Sequence, residues 1–75
     1  MRLSGRETES WLAGQAPDGA TYFAGEQVRV RNAGTMRTGT VLLLTELEPE
    51  PRYLIELELG RGHYLQAPQS TMARA

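Results

Sequence analysis

Pro49-Glu50-Pro51 cuts the chain where neither a helix interior nor a central strand accepts a residue. Proline lacks the N–H that both structures use, and its ring blocks the preceding turn of a helix. The segments on either side are therefore short and separate. Upstream, Gly39 to Glu48 is rich in leucine and centred on Val41-Leu42-Leu43-Leu44. Downstream, Arg52 to Leu59 alternates, with Tyr53, Ile55, Leu57 and Leu59 on one face. Both read as strands, and the break between them as a hairpin loop.

Glycine repeats this punctuation. Gln27 to Arg31 reads as a half-buried strand, with Val28 and Val30 on one face and Arg29 and Arg31 on the other. Asn32-Ala33-Gly34-Thr35 is a turn, and Gly60-Arg61-Gly62 is a tight turn that uses glycine's access to positive φ. His63 to Ala67 reads as a fourth strand. Pro68 to Met72 fits one 3₁₀ turn before a last short strand or tail. Four or five short antiparallel strands over residues 21–75 predict an all-β fold, most economically a small, partly open barrel.

Residues 1–20 form a leader. Ser4 and Glu7 have capping-box spacing, and Arg6 to Ala13 fits a short helix stopped by Gly14. An isolated helix of this length is marginal, so it forms only if Trp11 docks; otherwise the leader is disordered. Trp11 either anchors the leader on the body or sits in a partner interface. Ala16-Pro17-Asp18-Gly19 marks the boundary.

Composition narrows the chemistry. A chain of 75 residues is one domain with a thin core, burying roughly 60 % of its unfolded surface. Cysteine is absent and histidine occurs once, which removes disulfides and leaves little for zinc. Oligomerisation is the remaining way to supplement so small a core. All 8 basic residues are arginine, so no Schiff-base or P-loop lysine exists. A net charge of −1 gives no strong field toward nucleic acid. No apolar run approaches the roughly 18 residues of a membrane span, and the N-terminus has no apolar signal core. A cytoplasmic protein without membrane contact is expected. Glu46, Glu48, Glu56 and Glu58 read as a solvated strand face rather than a catalytic pair or cation site, and His63 as a surface residue. No nucleophile elbow or triad spacing is present, and no cofactor is expected.

A three-residue loop at Pro49–Pro51 would pair Glu48 with Arg52, Leu47 with Tyr53, Thr45 with Ile55, Leu43 with Leu57 and Val41 with Leu59. That face is apolar and would be the core. The other would expose Leu42, Leu44 and Leu54 beside Glu46, Glu56 and Glu58. Either the leader covers these leucines, with Trp11 and Leu12 across them, or they form a subunit interface. The expected contact surface is Leu42, Leu44 and Leu54, bordered by Glu56 and Glu58, with Trp11. A second candidate, for a ligand, is a groove of Tyr53, His63, Tyr64 and Gln66. Arg29, Arg31 and Arg37 form the best basic cluster for nucleic acid.

Gly25-Glu26-Gln27-Val28-Arg29-Val30-Arg31, then Gly34, then Gly39-Thr40-Val41, resembles the opening of an SH3-like barrel and the glycine and valine pattern of the KOW motif. Arg52-Tyr53-Leu54-Ile55-Glu56-Leu57, the glycine turn and Pro68-Gln69-Ser70-Thr71 extend the resemblance over residues 22–75. It implies the barrel, and a surface at Arg29, Arg31 and Arg37 that meets RNA backbone. The length, the leader and Ala20 to Arg29 also resemble type II dihydrofolate reductases, short barrels that assemble as tetramers around a central active-site pore. That family has a lysine after its Val-Arg, where Val30 stands here. Its Val-Gln-Ile-Tyr before a proline is replaced by Tyr64-Leu65-Gln66-Ala67, which turns the glutamine to the opposite strand face. The chain also looks like small barrel proteins of bacterial mobile elements. The function expected is a non-catalytic binding or self-assembly module, a homo-oligomer or the ligand of a protein partner. The alternatives are an RNA-contacting domain and a reductase-like tetramer.

Overall fold

The computed structural model describes residues 4–17 and 19–75. Asp18 of the expected boundary turn and residues 1–3 of the leader lie outside the described residues. The chain starts with α1, Gly5–Leu12. Its capping box forms in full: Glu7 N–H donates to Ser4 Oγ at 3.2 Å, and Ser4 N–H donates to Glu7 Oε1 at 2.9 Å. Gly14, at φ 91°, turns the chain out of the helix.

The strands β1 (Gln27–Asn32), β2 (Thr35–Glu46), β3 (Arg52–Leu57), β4 (Tyr64–Pro68) and β5 (Met72–Arg74) form one sheet of order β4-β3-β2-β1-β5. All four pairings are antiparallel. A 3₁₀ turn, Gln69–Thr71, lies between β4 and β5 and sends the chain back to β1. This is a small all-β barrel of five antiparallel strands with one short N-terminal helix. The β1–β2 turn holds Ala33 at φ 52° and Gly34 at φ 79°, the left-handed pair that suits the twist of a two-residue hairpin.

The sheet curls because β2 serves two partners. Its first half pairs with β1 and its second with β3, and Gly39 belongs to both ladders. A Cβ on Gly39 would stand 2.5 Å from Ile55 Cγ2 and 2.9 Å from the Glu56 carbonyl oxygen. The close approach of β2 and β3 at this point therefore requires glycine.

The β2–β3 hairpin departs from the expected register. Glu46, not Glu48, pairs with Arg52, so the loop spans residues 47–51. Register shifts between Val41 and Leu43, and between Leu44 and Glu46, place two bulges in β2. Each bulge moves the alternation on by one residue. Val41 opposes Ile55, but Leu44, not Leu47, opposes Tyr53. The inner face thus holds Val41, Leu44, Tyr53, Ile55 and Leu57, all buried, and Leu59 lies exposed beyond β3.

The leader contributes to this core. Trp11 is 1 % exposed and clusters with Ala20, Tyr22, Val28 and Val30. Its Nε1–H donates to the Tyr22 carbonyl at 2.7 Å. Tyr53 ties the segment after the helix to the sheet. Its hydroxyl donates to Gln69 Oε1 at 2.6 Å and accepts from the Thr21 N–H at 3.2 Å. Gln69 Nε2 donates to the Gly19 carbonyl at 2.8 Å. At the other terminus Arg74 pairs with Glu26, donates to the Thr21 carbonyl and lies over the Tyr22 ring.

Candidate functional site

The outer face of β2, β3 and β4 presents three cross-strand rows: Glu46, Arg52 and Pro68; Leu43, Leu54 and Gln66; Thr40, Glu56 and Tyr64. Directly opposed residues of antiparallel strands share a face, so each row lies on one side of the sheet. The bulge sets Leu42 and Leu43 together against Leu54. Leu42 is 38 % and Tyr64 55 % exposed, while Leu54 is half-buried between their strands. Gln66 Nε2 donates to Thr45 Oγ1 at 2.7 Å, and that hydroxyl donates to the Arg52 carbonyl at 3.1 Å. This bond spans the sheet beside Leu54 and occupies the hydroxyl of the second bulge.

Three residues expected on contact surfaces lie inside the barrel. Leu44 is 1 % exposed, because the first bulge turns it from the outer to the inner face. Trp11 is buried in the core rather than lying across the outer leucines, because its N–H finds a carbonyl partner at Tyr22. Tyr53 is fully buried, so the groove of Tyr53, His63, Tyr64 and Gln66 does not form. Tyr53 points inward while Tyr64 and Gln66 point outward, and exposed His63 precedes β4. Burial raises the Tyr53 phenol above the usual 10.0, outweighing the lowering by the Tyr22 and Thr21 amides. Of the expected contact residues, Leu42, Leu54 and Glu56 share the outer layer. Glu58 is exposed just beyond β3, its N–H bonded to the Thr38 carbonyl at 3.0 Å.

The basic cluster divides. Arg29 opposes Thr38 and Arg31 opposes Met36, all on one face. Arg37 opposes Val30, which puts it on the other face of the sheet. Arg37 instead lines an open depression of about 230 Å³ with Met36, Thr38, Glu58 and Leu59. No three histidine, aspartate or glutamate side chains converge to hold a metal ion among the described residues. No helix among them is long and apolar enough to cross a membrane.

Sequence reasoning missed Tyr64 as a neighbour of the leucine patch, because that adjacency needs the β3–β4 register. The signal available was the common alternation of both strands, Leu54 and Glu56 against Gln66 and Tyr64. No family model, no curated protein and no solved structure matches the chain.

Proposed function

We propose that the protein is a small, non-catalytic cytoplasmic module that binds by self-assembly, its contact surface being the outer layer of β2, β3 and β4. One observation carries the reading: exposed Leu42 and Tyr64, with half-buried Leu54 between their strands, form an apolar strip on this layer, rimmed by Glu46, Arg52 and Glu56. Apolar surface framed by charge is the usual character of a protein contact. The thin core of so short a chain gives association a stabilising role. The test is absolute molar mass by light scattering across a concentration range, for the natural chain and for Leu42→Glu. A stable oligomer that Leu42→Glu dissociates supports the reading. A monomer at every concentration removes it. A tetramer that reduced dihydrofolate with NADPH would replace the non-catalytic reading with the enzyme.

A second reading rests on Arg29 and Arg31. They stand two residues apart on the outer face of β1, both exposed, beside Met36 and Thr38. Such a pair suits phosphates of an RNA backbone, the partner implied by the KOW resemblance. Binding to single-stranded RNA that weakens steeply with salt and in Arg31→Ala supports it. Absence of binding at low salt excludes it.

A further inference from the structure

The backbone of β4 is paired on one side only, since the sheet ends at this strand. The parity of the β3–β4 ladder shows which groups face the open side. Leu57 N–H donates to the His63 carbonyl at 2.8 Å, and Gln69 N–H donates to the Pro51 carbonyl at 2.8 Å. The register between these bonds is unbroken, from Arg52 opposite Pro68 to Glu56 opposite Tyr64. Hydrogen-bonded pairs alternate along an antiparallel ladder. The odd-numbered residues of β4 therefore bond to β3, and the N–H and C=O groups of Tyr64 and Gln66 point to the open edge. Pro68 ends that row because it has no N–H.

Natural sheets blunt such an edge with charge, a bulge or a covering segment. Tyr64, Leu65, Gln66 and Ala67 carry no charge and no bulge, and the side chains of Tyr64 and Gln66 are exposed. Two donors and two acceptors alternating about Leu65 are self-complementary under a twofold axis through that residue. Tyr64 of each copy then opposes Gln66 of the other, and all four groups on each edge are satisfied. Leu65, half-buried against the core, meets its own copy in the close, non-hydrogen-bonded pair.

We infer that two copies of this chain join their β4 strands antiparallel about Leu65, making one continuous sheet that sets the Leu42–Leu54–Tyr64 strips of both copies side by side. The inference rests on the self-assembly reading and specifies its geometry.

The test combines amide hydrogen exchange with light scattering on the full chain at low and high concentration. The expected result is that protection of the Tyr64 and Gln66 amides rises at least about tenfold with assembly, while flanking turns do not change. Gln66→Pro, which removes one edge donor, lowers the molar mass to the monomer, and Gln66→Ala, which keeps the N–H, does not. Where Gln66→Pro does not fold, as circular dichroism will tell, the exchange measurement on the natural chain decides. An assembled protein whose Tyr64 and Gln66 amides exchange freely overturns strand pairing and leaves association through the leucine strip intact. A monomer at all concentrations overturns both. Protection that appears only on adding a foreign extended peptide overturns self-pairing and makes the edge a peptide site.

Discussion

Trp11 Nε1–H donates to the Tyr22 carbonyl at 2.7 Å, and the Tyr22 ring meets Tyr53 edge to face with centroids 5.6 Å apart. The leader helix is thereby joined to the centre of the barrel through one hydrogen bond and one aromatic contact. A helix of this length is unstable alone, so its order is a consequence of that indole. Replacing Trp11 with Ala should destabilise the fold by about 3–5 kcal/mol, the range for truncating a buried aromatic. Trp11→Phe keeps the ring but leaves the Tyr22 carbonyl unpaired, and should cost about 1–3 kcal/mol. Urea denaturation followed by circular dichroism measures both. A loss below about 0.5 kcal/mol for Trp11→Ala, the range of a neutral surface change, would contradict the docked helix.

Two neighbouring leucines of β2 should respond in opposite ways. Leu44→Ala opens a cavity beside Tyr53 and should cost about 2–5 kcal/mol whatever the state of assembly. Leu42→Glu alters an exposed bulge residue and should change stability by no more than about 0.5 kcal/mol, while lowering the molar mass under the proposed self-assembly. Thermal melts of the two variants at equal concentration separate the effects. Equal destabilisation would show that the bulge does not divide the pair.

Gly39 should tolerate no side chain. Gly39→Ala drives a methyl into Ile55 and the Glu56 backbone and should cost about 1–3 kcal/mol by overpacking. Gly34→Ala, at a position with open space around it, pays for left-handed backbone alone and should cost about 1 kcal/mol. The order of the two melting temperatures is the check.

Tyr53 makes stability depend on alkaline pH. Its folded-state pKa lies above the usual 10.0, so the unfolded chain ionises first as pH rises. The contribution is fully present below about pH 10 and is lost as pH climbs from there through the folded value. Tyr53→Phe should lower stability at neutral pH by about 1–2 kcal/mol, through loss of the Gln69 and Thr21 bonds. It should also flatten the decline above pH 10. Denaturation midpoints between pH 8 and pH 11 test this, and an equally steep decline in the variant would assign the titration to another group.

Much of the local architecture was legible from residue order. Ser4 and Glu7 specify the helix start because both partners of the box lie within one turn. Val28 and Val30 mark β1 because a period of two admits one buried face. Gly60 and Gly62 mark a turn because both adopt positive φ, and Gln69–Thr71 forms the expected 3₁₀ turn. The residues of the proposed contact layer were placed correctly only in part. Leu42, Leu54 and Glu56 lie on the outer layer, whereas Leu44, Trp11 and Tyr53 do not, and Arg37 is parted from Arg29 and Arg31.

The sequence by itself determined the number and order of the strands, since turn chemistry and alternation act over a few residues, but not the bounds of β2, which runs Thr35–Glu46 rather than Gly39–Glu48. Only the tertiary structure decided how β2 sits against β3. Alternation says which residues share a face, but it does not say where the count skips. The skips at Leu42 and Thr45 arise where one strand must bend to pair with β1 at one end and β3 at the other. A bulge costs little locally and moves every later side chain to the opposite face. Leu44 is a core residue and Leu42 a surface one for that reason, and Trp11 is buried because the curled sheet offers it both an apolar site and the Tyr22 carbonyl.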